Sequence, residues 1–516
     1  MKKASIQAAL SRMAGHPAVR KLRTLVAWRE RERLYLVGGA VRDAILDRPV
    51  ADLDFVFRGD LRTLCESLAQ EWPARFVLLN EAWGMVRLVP EASPGSEQAL
   101  TLDFTPMRGE EIEEDLRQRD FTLNALAVSL GGGLDEEPQA LEDPTGGIED
   151  LERRRVRMVH PARLREDPVR LLRAFRIACA LGFTIDGETL ETIRSEKERL
   201  LLAAPERLRE EVFKLLACDR SHSHLVKLDE VGLLSTLFPE VDALRGLEQG
   251  PHHELDAWKH SLETFRVAEE LIESGFVGLS PWSQDLEKWL REETDRVSLL
   301  KMAALFHDLG KPLVAASGKD TEVHFHGHED RGAQVVGGMA RRLRMSRRDE
   351  ECLASLVEHH MWPLHLHRMA SVQKLSERAK VRFFRHLENQ ALGCLILALA
   401  DNAAKGSPSG AMDKSGSFPD FVKTLLHFDC TRDAAGARTP PLVNGHDLIR
   451  VFGLEPGPRI GRLLERVHEA RVEGKVKTRE DALEFLREFL EMEDKGSRKE
   501  SLDGQPGASK KYIKYK

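Results

Sequence analysis

Asp52 and Asp54 stand two residues apart in the run DLDFVF, and residues so spaced on a strand project to one side. Two carboxylates aimed at one point repel unless a cation neutralises them, and a hard divalent ion such as Mg2+ takes oxygen ligands. Just upstream, LYLV runs into Gly38-Gly39. Glycines there let the backbone approach a ligand closely, and a helix start behind them offers unpaired N–H groups to a phosphate. A phosphate turn beside a two-carboxylate metal seat is equipment for nucleotidyl transfer. Asp103, in ALTLDFT, is placed to join the pair as a third carboxylate. A second set of donors lies further along: His260, His307-Asp308, His326, His328, His359 and Asp401. Histidine and aspartate spread over several helices suit a transition metal such as Mn, Fe, Ni, Co or Zn.

The elements that must position these groups can be read from pattern. Leu34–Val37 reads as a buried strand, Val41–Leu46 as one or two helical turns, and the stretch after Pro49 as a second strand. FVLL, GMVRLV and Ala99–Thr105 supply further strands. Arg163–Leu181 reads as one helix, because Val169, Leu172, Phe175 and Cys179 recur at three- and four-residue steps. That helix puts Glu166, Asp167 and Arg170 on one face, with Arg173 and Arg176 one turn further on. The expected fold class is α+β: a small mixed β-sheet head followed by an all-α neck, body and tail. The expected divisions are residues 1–30 (amphipathic helix), 31–160 (head), 161–250 (neck), 251–405 (metal-binding body), 406–492 (helical tail) and 493–516 (a disordered basic end).

The 516 residues are 42% hydrophobic and 31% charged, which fits a soluble, helix-rich protein of several domains. No apolar stretch spans a bilayer and no signal-peptide core is visible, so no membrane partner and a cytoplasmic location are expected. The six cysteines form no CxxC pair, against a zinc ribbon or disulfide framework. A net charge of −7 excludes a uniformly basic nucleic-acid binder; RNA would need a local positive surface.

The run GGAVRDAILDRPVADLD resembles motif A of the class II tRNA nucleotidyltransferase and bacterial poly(A) polymerase family. RQRDFTLNAL resembles its motif B, with Gln118 where the family has a first arginine. DPTGGIEDL, REDPVRLLR and PERLREEVF resemble motifs C, D and E. The resemblance implies that Mg2+ on Asp52 and Asp54 activates the tRNA 3′-hydroxyl, and that Gly38, Gly39 and Arg42 hold phosphates. It implies that Arg119, Asp120 and Asn124 contact ribose and triphosphate. Asp167 and Arg170 would read the base in place of a template, with Glu166 holding Arg170 and with Arg207 and Glu210 bracing the neck. The HDLGKP string resembles an HD phosphohydrolase domain, implying His260, His307, Asp308 and Asp401 as core ligands, extended by His328 and His359.

The link LDFTPMRGEEIEEDL runs almost directly into motif B. That compact form resembles CC-adding enzymes, which lack the longer loop associated with terminal A addition. The implied partners are a tRNA 3′ end, CTP and a separate A-adding enzyme. The alternative is a full CCA-adding enzyme that also uses ATP, ahead of a poly(A) polymerase or a protein that is chiefly an HD phosphohydrolase.

Overall fold

The computed structural model describes residues 3–50, 52–80, 84–90, 101–131, 141–250, 254–317, 323–372, 375–405, 417–435, 442–472 and 475–500. They divide into two units: residues 1–274, 290–358 and 403–406 form one, and 275–289, 359–402 and 407–516 the other.

The first unit begins with helices Lys3–Gly15 and Pro17–Leu25. Strands β1 (Leu34–Val37), β2 (Asp52–Phe57), β3 (Ala74–Asn80), β4 (Met85–Pro90), β5 (Thr101–Pro106), β6 (Ala127–Ser129) and β7 (Leu141–Glu142) follow. They form a seven-stranded sheet in the order β3-β4-β5-β2-β1-β6-β7, with β2 and β5 parallel and the other pairs antiparallel. The mixed sheet expected from the strand pattern is present.

Alternation along the central strands sorts core from site. Leu53 and Phe55 on β2 pair with Leu102 and Phe104 on β5, all buried, and the two phenyl rings stack at 5.0 Å. Helix Leu61–Glu71 brings Leu61, Leu64, Cys65 and Leu68 into the core, one face at helical spacing, and Asp60 caps its start. On the opposite face, Val37 and Val56 pack with Ile112, Leu116, Ala125 and Ala127. Asp52 and Asp54 share that second face at the end left uncovered.

The helix expected over Arg163–Leu181 is two helices, Pro161–Glu166 and Val169–Leu181. Pro168 has no N–H to donate and pushes Asp167 out of helical geometry, to φ −135° and ψ 93°. Val169–Leu181 then packs against Pro205–Leu216. Helices Ala257–Glu273, Arg296–Phe306 and His328–Arg342 complete the named helices of this unit.

The second unit contains helices Trp362–Val372, Glu377–Leu387, Ala391–Ala404, Phe418–Ala435, Gly445–Phe452, Pro458–Val472 and Arg479–Glu500. Val443, Leu448, Leu463, Val467, Ala482 and Leu486 make one of its cores. The last helix runs into the stretch expected to be disordered, while residues 406–416 and 501–516 lie outside the described residues. No helix among the described residues is long and apolar enough to cross a membrane.

Candidate active site

Register brings the carboxylates together. Asp54 on β2 is the partner of Val37 on β1 and of Asp103 on β5. Asp52 accepts from Thr101 Oγ1 at 2.7 Å. Asp103 accepts from Arg87 Nε and Nη2, both at 2.6 Å. Asp54 is pushed up to about 6, chiefly by burial and further by Asp103 and Asp52, against the pull of Arg119 and Arg87. That shift is the signature of a carboxylate short of positive charge. The donor set, aspartate oxygens on one sheet face, therefore fits a hard divalent ion.

Gly38 has φ +72° and turns the chain into helix Gly39–Ile45. A Cβ there would meet Arg119 Nη1 at 3.1 Å and Asp54 Oδ2 at 3.7 Å, so only glycine leaves the approach open. Arg42 donates from Nη1 to Asn124 Oδ1 at 2.7 Å, and from Nε and Nη2 to the two oxygens of Asp43, each at 2.9 Å. Asp115 is buried and accepts from Arg119 Nε and from the Arg108 N–H, both at 3.2 Å, which aims the rest of Arg119 toward the glycine turn.

Asp120 lies deeper, where it accepts from the Phe121 N–H at 2.8 Å, Asn124 Nδ2 at 3.1 Å and Arg173 Nη1 at 3.4 Å. Burial raises its pKa, but Arg173, Arg170 and these donors outweigh it and hold the carboxylate below its usual range. Glu211 accepts from Arg173 Nε at 3.0 Å and Arg176 Nε at 2.6 Å. The neck carboxylate expected at Glu210 is thus Glu211; Glu210 faces outward, 3.9 Å from Lys214. Glu211 shares the buried face with Leu208, Val212 and Leu215, and a charged residue at apolar spacing was the signal available for it.

The residues expected to read the base are arranged differently from expectation. Asp167 accepts from Arg207 Nη1 at 3.0 Å and Nη2 at 2.7 Å, while Arg170 Nε stands 3.8 Å from it. Glu166 pairs with Arg163 at 2.9 Å and not with Arg170, because the break at Pro168 removes the four-residue helical spacing. Arg170 donates from Nη1 to the Arg163 carbonyl at 2.9 Å, and its buried Nε makes no hydrogen bond.

Two cavities open on this face. One of about 460 Å³ is lined by Gly38, Gly39, Arg42, Asp52, Asn124 and Arg176 among others. The second, of about 310 Å³, is lined by Met85, Asp103, Arg108, Asp115 and Arg170 among others. Asp54, Arg119, Asp120 and Arg173 line both, so two carboxylates and two guanidinium groups stand where the cavities adjoin. Volumes of this size suit small ligands. Another cavity, of about 350 Å³ and lined by Met13, Val19, Leu36 and Leu53 among others, lies against the N-terminal helices and carries no carboxylate pair of this kind.

A second centre forms around Asp308 in the same unit. Its Oδ2 is 3.2 Å from His307 Nε2, 3.9 Å from His260 Nε2 and 2.6 Å from Lys311 Nζ; its Oδ1 is 3.3 Å from His328 Nε2. Burial raises its pKa, but His307, Lys311 and His328 together hold it well below the usual carboxylate range. Gly310 carries no Cβ where one would overlap the His328 carbonyl, which lets this turn lie against helix His328–Arg342. His326 is exposed, near His324 at 5.7 Å between ring centroids. His359 and Asp401 belong to the second unit. There the His359 ring packs against Trp362 and His386, and the neighbouring His360, absent from the expected set, is the buried one.

Comparison with known proteins agrees with this geometry. Family models match in chain order: the poly A polymerase head domain over residues 34–157, the probable RNA- and SrmB-binding site of polymerase A over 182–244, the HD domain over 257–405, and the putative tRNA nucleotidyltransferase domain 2 over 438–486. An A-adding tRNA nucleotidyltransferase of Deinococcus radiodurans is 33% identical over 463 residues, 88% of this chain and 95% of the relative. A CC-adding tRNA nucleotidyltransferase of Thermus thermophilus is 32% identical, over 91% of this chain and 95% of its own. A solved Thermotoga maritima CCA-adding enzyme complexed with tRNA shares the fold, with a TM-score of 0.59 at 20% identity over 93% of this chain and 98% of that one. With a third of its residues shared along nearly the whole of such relatives, this chain belongs to the class II tRNA nucleotidyltransferase/poly(A) polymerase family and is a nucleotidyltransferase of the CCA-adding type with an HD domain.

Proposed function

We propose that the protein adds cytidines to the tRNA 3′ end without a template, builds the CC of the CCA end from CTP, and leaves the terminal A to a separate enzyme. The observation that carries the stop after two cytidines is the short, fastened link from β5 to helix Ile112–Leu116. Only residues 107–111 span it. Arg58 Nη1 donates to the Glu110 carbonyl at 2.9 Å, and the Glu110 N–H donates to Glu114 Oε2 at 3.0 Å. A pocket that must change from accepting C to accepting A needs a mobile element near the base, and this link is fastened at its start, where the Met107 N–H donates to the Phe57 carbonyl at 2.9 Å, and near its end through Glu110.

Enzymes of this family generally use Mg2+, which supplies charge neutralisation and lowers the pKa of a bound hydroxyl. Asp52 and Asp54 would hold it. In this reading the Gly38-Gly39 turn, Arg42 and Arg119 take the triphosphate, and Asp120 and Asn124 face the ribose. Arg170 presents its planar donors to the base while Asp167, braced by Arg207, supplies the acceptor. Arg173 and Arg176, tied to Glu211, keep the neck side of the cleft positive. Glu166 is left out of the base-reading set because it faces Arg163.

The division into head, neck, HD body and tail is carried forward as part of the same proposal. In the body, His260, His307, Asp308 and His328 are assigned to a transition-metal seat. His359 stays outside it. The test is direct: tRNAs ending before, within and after CC are incubated with CTP or ATP. Two cytidines and no A is the expected product. Addition of A to a CC end refutes the stop, in favour of an A-adding or full CCA-adding enzyme.

A further inference from the structure

Arg87 sits on β4 directly across from Asp103 on β5. Its Nε and Nη2 each donate to one oxygen of that carboxylate at 2.6 Å. A guanidinium gripping a carboxylate with two parallel bonds is the strongest form of this pairing, and its charge does not titrate away. Asp103 is in turn the register partner of Asp54. The third acid of the cluster therefore arrives already neutralised, with both oxygens engaged, while among the described residues no arginine pairs with Asp52 or Asp54, and Asp52 accepts only from the Thr101 hydroxyl.

We propose that Arg87 is a resident counter-ion that keeps Asp103 out of the ion shell at rest, so that Asp52 and Asp54 alone take the first divalent ion. This rests on the reading of those two aspartates as the ion seat. Two carboxylates hold a hard ion less tightly than three. The ion is then retained mainly when a triphosphate brings oxygens of its own, and metal loading becomes coupled to nucleotide loading. Arg87 is a positioning residue in this scheme: it acts through Asp103 and touches neither substrate.

The experiment is Mn2+ titration of the full chain without nucleotide, followed by electron paramagnetic resonance. An Asp52→Asn/Asp54→Asn double variant gives the background from any other site. Arg87→Gln releases Asp103 and should tighten binding about tenfold, on the scale of groups that orient metal ligands. Asp103→Asn alone should stay within about twofold of the parent, and should cancel the gain when combined with Arg87→Gln. Arg87→Lys, which keeps the charge but cannot fork, should fall between and covers the case in which Arg87→Gln does not fold. Unchanged or weaker binding in Arg87→Gln and Arg87→Lys overturns the proposal, as does an Asp103→Asn loss as large as that of Asp54→Asn. Equal binding by the parent and the double variant overturns the seat itself, and with it this proposal.

Discussion

Asp54 and Asp308 are both carboxylates drawn into the protein, and the chain treats them in opposite ways. Asp54 has two acids for neighbours and only partial compensation from Arg119 and Arg87, so burial leaves it raised to about 6. Asp308 is more deeply buried, yet Lys311 at 2.6 Å and the imidazoles of His307 and His328 hold it ionised. Lys311 also donates to Gln249, which fixes the ammonium from the other side. The difference teaches that the head is electrostatically unfinished without a cation, whereas the Asp308 centre carries its own counter-charge. An unfinished centre costs stability and is the natural place for an ion and a triphosphate to act.

The sharpest way to break that comparison is to neutralise each acid in turn. Asp54→Asn should lower nucleotide incorporation by on the order of 10³-fold or more, the scale of losing a principal charge-stabilising group in phosphoryl transfer. Asp308→Asn should leave incorporation by the folded protein within a few-fold, measured on the same tRNA ends. Stability should respond in the reverse order. Asp308→Asn strands Lys311 without its buried partner and should cost about 3–5 kcal/mol in denaturant melts. A loss of incorporation in Asp308→Asn that exceeds its loss of folded protein would join two centres that the comparison separates.

The pH dependence should carry opposite signs. For Asp54 the folded pKa of about 6 lies above the unfolded 3.8. The metal-free fold therefore loses this contribution to stability as pH rises from about 4 to about 6. Asp54→Asn should accordingly stabilise the metal-free protein at pH 7 by about 1–2 kcal/mol, below the full linkage value because the side chain is half-buried. Asp308, held low in the fold, contributes stability above the unfolded value that is lost as pH falls through its lowered one. Because an ion must displace the Asp54 proton, Mn2+ affinity at the head should be about tenfold weaker at pH 5 than at pH 7. A flat affinity over that range would show that the seat is not short of charge.

A smaller effect tests the neck. Glu211→Gln leaves Arg173 and Arg176 facing each other without their shared carboxylate and should cost about 2–3 kcal/mol, less than a fully buried pair because both arginines are partly exposed. The smallest is Glu166→Ala, which removes only an exposed pair with Arg163 and should change incorporation by less than about twofold.

What the chain determined by itself is what depends on neighbours in sequence. Two-residue spacing put Asp52 and Asp54 on one face, the glycine pair gave the turn, and three- and four-residue periodicity gave the helices of the neck. Pro168 carried its own message too, since a proline bars the helix from continuing through it, and that break redirects Glu166. Only the tertiary structure decided the partners that come from far along the chain. Arg87 reaches Asp103 because β4 lies beside β5; Glu211 meets Arg173 and Arg176 because two helices pack; Asp167 is braced by Arg207 across the same interface. No local pattern encodes those pairings, because charge neutralisation is settled by distance in space, and register and packing set that distance.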